Sequence, residues 1–412
     1  MFRKLLTFED AKKIINQLEI GPLGAERIPL LQAHNRVLAE DSVSTIDIPP
    51  FDRSTVDGYA VKAEDTYGAE ENQPVNLTIA GAVNVGEPSK VKIERGEAAE
   101  IVTGAPIPKG ADAVVMVEET ERRNGTLKIF SSVTKNTNVM KKGTDIQKGE
   151  TALKTGQVVG PSQMGILAAI GTARVQVFKL PRVAILSTGA EITEPGKPLL
   201  PGKIYDINAY SVSAAVTESG GIPVYMGIAP DESTKLRETL EYALRNADIV
   251  ITSAGVSVGP KDLLPHAVDS LGKPGLLFSG IAVKPGKPTT AALIGKKPVF
   301  SLPGHPASAL LIFHLLVHPL IQRLSGRASL ENASVRAVAG ARMFSAKGRR
   351  TFVMVKLKRR EPNGMVAEPV ETGASGAITT LARADGYVEI PENQQFVDRE
   401  DEVVVTLLKG VA

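Results

Sequence analysis

The sequence predicts a multidomain α/β plus β protein, and three observations carry this prediction. The chain has 412 residues, which is too long for one ordinary domain. From about residue 182 to 326, short apolar runs alternate with helical stretches, as in a doubly wound, mostly parallel sheet with helices on its faces. On either side lie short β-like runs separated by Gly, Pro and Asn. We therefore expect a central α/β domain with β-rich neighbours.

The first elements are expected to be helices. Residues 7–20 have the period of an amphipathic helix, with Thr7 as its cap and an apolar stripe formed by Ala11, Ile14, Ile15 and Leu18. Residues 29–41 continue with mixed helical character, and residues 160–171 are helical again. The first domain is therefore predicted to be discontinuous, with a β-rich domain inserted into it.

The remaining elements follow in order along the chain. The inserted domain is predicted from β-like runs at 77–83, 99–106, 112–119 and 126–130. In the α/β domain, strands are expected at 182–189, 224–229, 248–255, 276–283 and 298–304, and helices at 209–221, 231–247, 261–272 and 306–326. Asp231 is the expected cap of the second of these helices, and Pro306 suits the first turn of the last. Runs at 352–358, 386–391 and 402–408 predict a closing barrel or sheet, so the domain boundaries are 1–45 with 150–178, 46–149, 179–327 and 328–412.

Composition excludes several classes of protein. The net charge is +3 and the lysines are scattered, so neither nucleic acid nor a membrane is an expected partner, and "KGRR" at 347–350 is interpreted as a solvated loop. Cysteine is absent, which excludes disulfides and thiolate metal sites. His314 and His318 stand four apart among Leu and Val, which is more typical of a packed helix than of metal ligands. With no signal peptide and no apolar run of ~18 residues, the protein is predicted to be cytoplasmic.

Three loops that follow predicted strands combine Gly with Ser or Thr, at 187–196, 252–262 and 301–309. The carboxyl ends of parallel strands meet at one edge of a sheet, so these loops should converge. Free N–H groups and hydroxyls suit phosphate or another oxyanion. No GxGxxG or Walker A pattern is present, so the common nucleotide fingerprints are not predicted.

Charged residues near these loops point to bridged phosphates. In "VKPGKPTT", Lys284 and Lys287 are held by prolines, and two fixed cations repel each other unless an anion lies between them. Glu191, Asp231 and Asp262 follow three of the strands. Lysines and acids in one crevice suggest phosphates bridged by a hard cation such as Mg²⁺. In the β-rich domain, Asp57 stands in the rigid stretch "PPFDRSTVDGYAV", and Thr103 in a similar turn.

In this order, the stretches resemble the molybdopterin molybdenumtransferases, the MoeA and gephyrin E-domain family. The motifs span residues 49–309 and are "PPFDRSTVDGYAV", "IVTGAPIPKGADAVVMVEE", "STGAEITEPG" with "GKIYDINAY", "ITSAGVSVGPKD", "VKPGKPTT" and "LPGHPASA". The resemblance implies four domains, the first elongated and the last barrel-like, around an α/β domain of the molybdenum-cofactor-biosynthesis fold. It also implies a homodimer and a Mg²⁺-dependent last step of cofactor synthesis, in which adenylylated molybdopterin receives molybdate and AMP leaves.

Position in the family motifs also assigns site residues. The resemblance implies catalytic roles for Asp57, Thr103, Glu191, Asp231 and Asp262, with the last three as metal ligands. It implies binding roles for Lys284, Lys287, Ser308, Arg349 and Ser375, to which the bare strand-end loops add Ser253, Gly255, Ser257, Gly259 and Gly304. Four residues depart from the family pattern, namely Pro260 for an acid, Gly280 for a lysine, Met354 for an arginine and His305 for an asparagine.

Two other functions remain open at this point. The chain resembles a molybdopterin adenylyltransferase in its α/β domain, and it is also compatible with a non-catalytic scaffold or cofactor-binding protein of the same fold. The extra β domains and the absence of a long linker disfavour both. The sequence leaves the choice between molybdate and tungstate open. The expected partners are the small-molecule substrates, a second copy of the chain and the adenylyltransferase of the same pathway.

Overall fold

The computed structural model describes residues 5–229, 232–253, 267–268, 270–328, 333–362, 364–370 and 379–408. The chain forms two compact units. The larger unit consists of Met1–Arg27, Asn35–Ala39 and Gln176–Ala412, and the inserted unit of Ile28–His34 and Glu40–Val175. The larger unit is thus discontinuous along the chain, whereas the predicted first domain of residues 1–45 and 150–178 and the division into four domains stay predictions.

The inserted unit is built mainly from strands. The strands are β1 Ala25–Pro29, β2 Ser42–Val43, β3 Arg53–Ser54, β4 Gly58–Val61, β5 Val75–Val83, β6 Glu97–Ile101, β7 Ala113–Met116, β8 Thr120–Arg123, β9 Thr126–Ile129, β10 Val139–Met140, β11 Thr151–Leu153 and β12 Arg174–Phe178. The unit begins within β1 and ends within β12. Six of these strands form a sheet in the order β7-β4-β6-β5-β9-β8. Strand β4 is buried along its whole length because Tyr59 and Val61 pack in one apolar cluster and Ala60 packs in another. The predicted β-rich insertion is thus confirmed.

The larger unit contains the remaining strands. They are β13 Arg182–Thr188, β14 Ile192–Thr193, β15 Ile204–Tyr205, β16 Ile222–Ala229, β17 Ile249–Ser253, β18 Pro274–Ser279, β19 Val283–Lys284, β20 Thr290–Ile294, β21 Lys297–Leu302, β22 Ser334–Ala339, β23 Met343–Phe344, β24 Arg350–Arg359, β25 Met365–Pro369, β26 Gly386–Ile390, β27 Phe396–Val397 and β28 Glu402–Leu407. The α-helices with bounds in the described part of the chain are α1 Phe8–Asn16, α2 Pro161–Ala169, α3 Asn208–Glu218, α4 Ser233–Asn246, α5 Pro306–Ile312, α6 His318–Leu324 and α7 Thr379–Arg383. Short 3₁₀ turns lie at Leu30–Gln32, Ala63–Thr66 and Val117–Glu119.

The α/β sheet of the larger unit has the order β16-β13-β17-β21-β20-β18. Its first three pairings are parallel and its last two antiparallel, so the mostly parallel sheet of the prediction is confirmed. Alternate residues of the parallel strands pack on opposite faces: Ile185 and Ile251 with α3 and α5, and Leu186 and Val250 with α4. Covering on both faces explains why these strands are continuous apolar runs.

The C-terminal strands close into a barrel, as the sequence predicts. Strands β24, β25, β22, β28 and β26 are neighbours in that order, and β26 pairs again with β24. Strand β19, from the α/β part of the chain, adds to the barrel by pairing in parallel with β24. That pairing joins the barrel to the edge of the α/β sheet at which its parallel strands end.

Several helix predictions need correction. Thr7 does cap α1, because its hydroxyl oxygen accepts a hydrogen bond from the Asp10 amide at 3.1 Å, but the helix ends at Asn16 rather than near residue 20. The one helical element within residues 29–41 is the Leu30–Gln32 turn, because Asn35 has a φ of 62°, which a right-handed helix does not allow. The expected cap Asp231 lies outside the described residues, and Glu232, which precedes α4, makes no side-chain capping bond.

The helical segment Pro306–Leu324 corrects one expectation from composition. It has 19 residues with a mean hydropathy of 1.4, so by length and composition alone it is a candidate membrane span, which was not expected. Its central turn, Phe313–Val317, is a π-helix between α5 and α6. The protein buries 61% of its apolar stretch, as is usual for the core helix of a folded domain.

The same segment shows that His314 and His318 are packed, as predicted. Their ring centroids lie 6.0 Å apart, and the His318 Nδ1 atom lies 2.8 Å from the Ser219 hydroxyl oxygen. Burial lowers the pKa of His318 to about 4, with smaller effects of His314 and Arg327 in the same direction. Both facts fit a neutral core pair. In the described part of the chain, no group of three or more His, Cys, Asp or Glu side chains is arranged to hold a metal ion.

Candidate active site

Polar side chains end three adjacent parallel strands of the larger unit. Ser187 of β13 pairs in register with Ser253 of β17, and Thr252 of β17 pairs with Ser301 of β21. The Thr188 hydroxyl donates to the carbonyl oxygen of Ser253 at 3.5 Å. All five residues are at most 5% exposed. The strands therefore bring the starts of the three predicted loops together in a buried, hydroxyl-rich layer.

Asn208, in the first turn of α3, links two of these loops, and sequence reasoning did not select it. Its Nδ2 atom donates to the Ser253 hydroxyl oxygen at 2.6 Å and to the Gly304 carbonyl oxygen at 2.8 Å. The sequence "YDINAY" around it indicated only family membership. An asparagine at the start of a helix is common and does not by itself indicate a site residue.

The start of α3 is itself fixed by Asp206. One carboxylate oxygen accepts a hydrogen bond from the Ala209 amide at 3.0 Å, and the other accepts one from the Tyr225 hydroxyl at 3.3 Å. Asp206 is only 3% exposed. This carboxylate compensates a free amide of the first helical turn and holds Asn208 against the strand ends.

Glu191 lies just beyond the end of β13. Gly189 has a φ of +135°, and a Cβ placed there would lie 2.8 Å from the Glu191 Oε2 atom, so the carboxylate folds back over a position that only glycine leaves open. The Glu191 carbonyl oxygen accepts from the Ile204 amide at 2.9 Å, and the Lys203 ammonium group donates to the Ala190 carbonyl oxygen. An exposed carboxylate is thus held beside the strand end.

The loop that carries Lys284 and Lys287 is tightly constrained. The Ile281 amide donates to the Lys287 carbonyl oxygen at 3.0 Å, and the Thr289 hydroxyl donates to the Gly286 carbonyl oxygen at 2.7 Å. A Cβ at Gly286 would lie 2.6 Å from the side chain of Ile312, so the loop packs closely on α5. Lys284 is exposed and Lys287 half-buried, and neither forms an ion pair with a described residue.

Two adjacent arginines stand beside this lysine loop but have different surroundings. Register pairing places Val283 opposite Arg350 and Lys284 opposite Thr351. Arg350 forms ion pairs with Glu9, Glu389 and Glu392, and its guanidinium carbon lies 5.8 Å from the centre of the Phe8 ring. The guanidinium group of Arg349 has no hydrogen bond or ion pair to any described side chain. The "KGRR" stretch is therefore not simply a solvated loop, because the Arg350 side chain is only 13% exposed.

Asp57 and Thr103, which were predicted separately as site residues, are in contact within the inserted unit. The Thr103 amide and hydroxyl both donate to Asp57 Oδ1, at 2.7 and 2.9 Å. These bonds, the amide first, hold the pKa of the Asp57 carboxyl below its ordinary value. A Cβ at Gly58 would lie 1.9 Å from the Val115 carbonyl oxygen, so glycine is needed for β4 to pair with β7 and present Asp57 at its start. Both Asp57 and Thr103 are exposed.

Some predicted site residues fall outside the described part of the chain. They are Asp231, Gly255, Ser257, Gly259, Asp262 and Ser375, together with the family departure Pro260. Ser308 is described and 4% exposed, in the first turns of α5, and Gly304 directly precedes His305, the residue before that helix. The His305 side chain makes no capping bond.

Two other departures from the family pattern have structural reasons. Gly280 has a φ of +86°, and a Cβ there would lie 2.9 Å from Leu5, so this backbone does not favour the lysine of the family. Met354 is 6% exposed and belongs to the apolar core with Phe352 and Tyr387. A guanidinium at position 354 would need a partner in that core.

Hydroxyl groups lie at the ends of the parallel strands, and the cations beside them are not neutralised by any described carboxylate. This arrangement is typical of the class of α/β proteins that bind phosphate or related oxyanions. Residues 6–171 match the MoeA N-terminal region (domain I and II), residues 184–323 a probable molybdopterin binding domain, and residues 336–408 the MoeA C-terminal region (domain IV). The chain belongs to the MoeA family.

Similar proteins cover nearly the whole chain. The molybdopterin molybdenumtransferase of Haemophilus influenzae is 36% identical over 405 residues, which are 97% of this chain and 98% of that protein. Molybdopterin molybdenumtransferase 2 of Mycobacterium tuberculosis is 35% identical over 370 residues, 89% of this chain and 91% of the relative. A solved molybdopterin biosynthesis MoeA structure from Pyrococcus horikoshii is 43% identical with a TM-score of 0.84, covering 99% of this chain and 100% of its own.

Proposed function

We propose that this protein is a molybdopterin molybdenumtransferase, which inserts molybdate into adenylylated molybdopterin with release of AMP, the last step of molybdenum cofactor synthesis. The observation that carries the proposal is the group of Lys284, Lys287 and Arg349 beside the strand ends, without a carboxylate partner among the described residues. Cations that are fixed and uncompensated favour an oxyanion between them. The names of relatives that match most of its length support the same activity.

The two substrates would occupy different parts of this edge. Ser253 and Gly304, with Gly255, Ser257 and Gly259, would take the pterin nucleotide, since small residues let backbone amides approach phosphates. Lys284, Lys287 and Arg349, with Ser308 and Ser375, would hold molybdate. Charge-assisted contacts at fixed positions orient the metalate toward the dithiolene. The sulfur chemistry belongs to the cofactor precursor, and the protein supplies position and charge.

Magnesium is the expected metal for this reaction, and the donors present fit it in kind. The Glu191 carboxylate is exposed beside the end of β13, and carboxylate oxygen is the ligand type that Mg²⁺ prefers. We propose Glu191, Asp231 and Asp262 as its ligands. Bound there, Mg²⁺ would offset negative charge on the phosphoanhydride.

We further propose that the protein is a cytoplasmic homodimer with its site shared between chains. Asp57 supports this because it is an exposed carboxylate on a rigid loop, polarised by Thr103, with no cation bonded to it in the described residues. Such a group needs a facing surface to act on. Light scattering should give a dimer, and a monomer that keeps full activity on dilution would contradict the shared site.

The activity is tested with purified protein, adenylylated molybdopterin, Mg²⁺ and molybdate. AMP release should depend on molybdate, and the product should activate a cofactor-free molybdoenzyme. ATP-dependent formation of the adenylylated intermediate would instead identify an adenylyltransferase. Retention of AMP or metalate without turnover would identify a binding protein or scaffold. Parallel assays with tungstate, followed by metal analysis of the product, decide which metalate is used.

A further inference from the structure

Asn208 is the one described side chain that hydrogen-bonds to both the "ITSAGVSVG" and the "LPGHPAS" loops. It is 6% exposed, so its bonds form away from competing water. The partner in the second loop is the Gly304 carbonyl, which only accepts hydrogen bonds. This fixes the nitrogen as the amide atom that faces both loops and leaves Oδ1 pointing elsewhere.

Hydrogen-bond counting then fixes the role of the Ser253 hydroxyl. The amide nitrogen of Asn208 has two protons; one is used by Gly304 and the other by the Ser253 oxygen. Because the Ser253 oxygen accepts from Asn208, its own proton is free to be donated, and no described residue accepts it. Ser253 is therefore oriented as a hydrogen-bond donor.

Unmet polar atoms lie beside this pair on the α3 face of the sheet. The Oδ1 atom of Asn208 and the hydroxyl oxygen of Ser187 are buried without a hydrogen-bond partner among the described residues. An unsatisfied buried polar atom costs about 1–3 kcal/mol, so two in one place are unusual unless something else binds them. Ser187 and Ser253 are register partners, which places one unmet hydroxyl next to the free Ser253 proton.

From these contacts we infer that Asn208 is a positioning residue for the substrate of the proposed reaction, on which this inference rests. It sets the spacing between the starts of two substrate loops through Ser253 and Gly304. It also keeps the Ser253 proton directed away from α3, as a donor to the pterin nucleotide.

The test compares Asn208→Ala, Asn208→Asp, Ser253→Ala and the double Ala variant with wild type. Asn246→Ala is the matched control, because Asn246 also donates an amide hydrogen bond to a carbonyl, that of Tyr242, but at the exposed end of α4. Molybdate-dependent AMP release gives half-saturating concentrations for adenylylated molybdopterin and for molybdate separately. Melting temperatures report folding.

We expect the half-saturating concentration of adenylylated molybdopterin to rise about tenfold in Asn208→Ala, the effect of one or two lost hydrogen bonds, with molybdate dependence unchanged. Asn208→Asp should be at least as impaired, since a carboxylate oxygen then faces the Gly304 carbonyl. The double variant should be little worse than Ser253→Ala alone, because Asn208 acts through Ser253. Asn246→Ala should match wild type.

Two results would overturn the inference. One is a pterin half-saturation in Asn208→Ala within twofold of wild type, with only the melting temperature lowered, which means that Asn208 is structural. The other is full additivity of the two Ala substitutions. Absence of molybdate-dependent AMP release in the wild type is a different result, because it refutes the proposed function and is seen before any variant is compared.

Discussion

Two loops of this molecule each carry a pair of like charges, and in each pair only one member is neutralised. In the inserted unit, Asp52 accepts from the Lys141 ammonium and the Lys142 amide, both at 2.8 Å, whereas Thr103 is the one described residue that donates to the Asp57 carboxylate. In the larger unit, Arg350 pairs with three carboxylates, whereas its neighbour Arg349 pairs with no described residue. The paired charges help to fix the loops, and the unpaired ones are those for which we propose a ligand.

This comparison separates stability from function at the level of single residues. A charge compensated inside the protein contributes to holding the fold and has little left for a ligand. A charge that is held by neutral hydrogen-bond donors or by a rigid backbone is not neutralised, so its electric field can attract an opposite charge on a ligand. Substituting the paired member should therefore lower stability and largely spare activity, whereas substituting the unpaired member should lower activity and largely spare stability.

The largest effect is expected for Asp57→Asn. Loss of this carboxylate should reduce turnover about 10²- to 10⁴-fold, the usual range for a group that transfers or stabilises a proton, without lowering the melting temperature. Asp52→Asn is the matched control and should keep most of the activity while losing up to about 1 kcal/mol of stability from its half-exposed ion pair. Thermal melts and AMP release on both variants decide. A lower melting temperature of Asp57→Asn together with normal activity would contradict this assignment and make Asp57 a structural residue.

A smaller effect is expected for the unpaired cations. Replacing Lys284, Lys287 or Arg349 with Ala should raise the molybdate concentration for half-maximal rate roughly ten- to a hundredfold, since each charge-assisted contact contributes about 1.5–3 kcal/mol. Because the anion is doubly charged, added salt should weaken wild type more than any variant. Molybdate titrations at two ionic strengths measure both. A weakened pterin affinity with normal molybdate dependence would place these cations at the nucleotide phosphates instead.

The paired arginine should behave in the opposite way. Arg350→Met keeps apolar contact with Phe8 but leaves three carboxylates without their cation, so stability should fall by about 1–3 kcal/mol, discounted because the acids are partly exposed. That corresponds to a melting temperature lower by about 5 °C. Molybdate half-saturation should stay within twofold of wild type. An unchanged melting curve together with impaired molybdate use would mean that Arg350, too, faces the ligand.

The smallest effect concerns pH. Thr103→Val removes one of the two bonds that keep the pKa of Asp57 low, so this pKa should rise. The carboxylate is then protonated at a higher pH on acidification, and the acidic limb of the rate profile should move to higher pH, with the rate above it little changed. Rate profiles of wild type and variant check this. A shift toward lower pH would show that Thr103 does not support the ionised form.

Much of the fold could be predicted from the sequence because its signals are local. Covered parallel strands are continuous apolar runs, and helices between them have a regular period, so the α/β part and the barrel were both foreseen. Strand β20, Thr290–Ile294, was missed because it follows the lysine loop and turns directly into β21 at Gly295, without a stretch of its own. The segment 29–41 was misjudged because Pro29 and the positive φ of Asn35 outweigh its helical composition.

The candidate site was less accessible to sequence reasoning. In the sequence, Arg349 and Arg350 are two identical letters, and the difference between them comes from Glu9, Glu389 and Glu392, which are distant along the chain. Asn208 carries no motif chemistry of its own, and only its two long-range hydrogen bonds distinguish it from any amide near a helix start. The family resemblance located the loops, whereas only the three-dimensional structure shows which charged residues in them have an ion-pair partner.

The contact between α1 and the barrel also has a consequence for synthesis of the chain. Glu9 bonds to Arg350 across 341 positions, and Phe8 packs edge-on against Phe352 with ring centroids 5.3 Å apart. At about 5–20 residues per second, a ribosome needs roughly 17 to 70 s to make that stretch, during which the inserted unit is already complete. Phe8 and Glu9 are therefore without these barrel partners for most of the time in which the chain is synthesised. A chain interrupted before the barrel would leave the Phe8 ring without its aromatic neighbour Phe352.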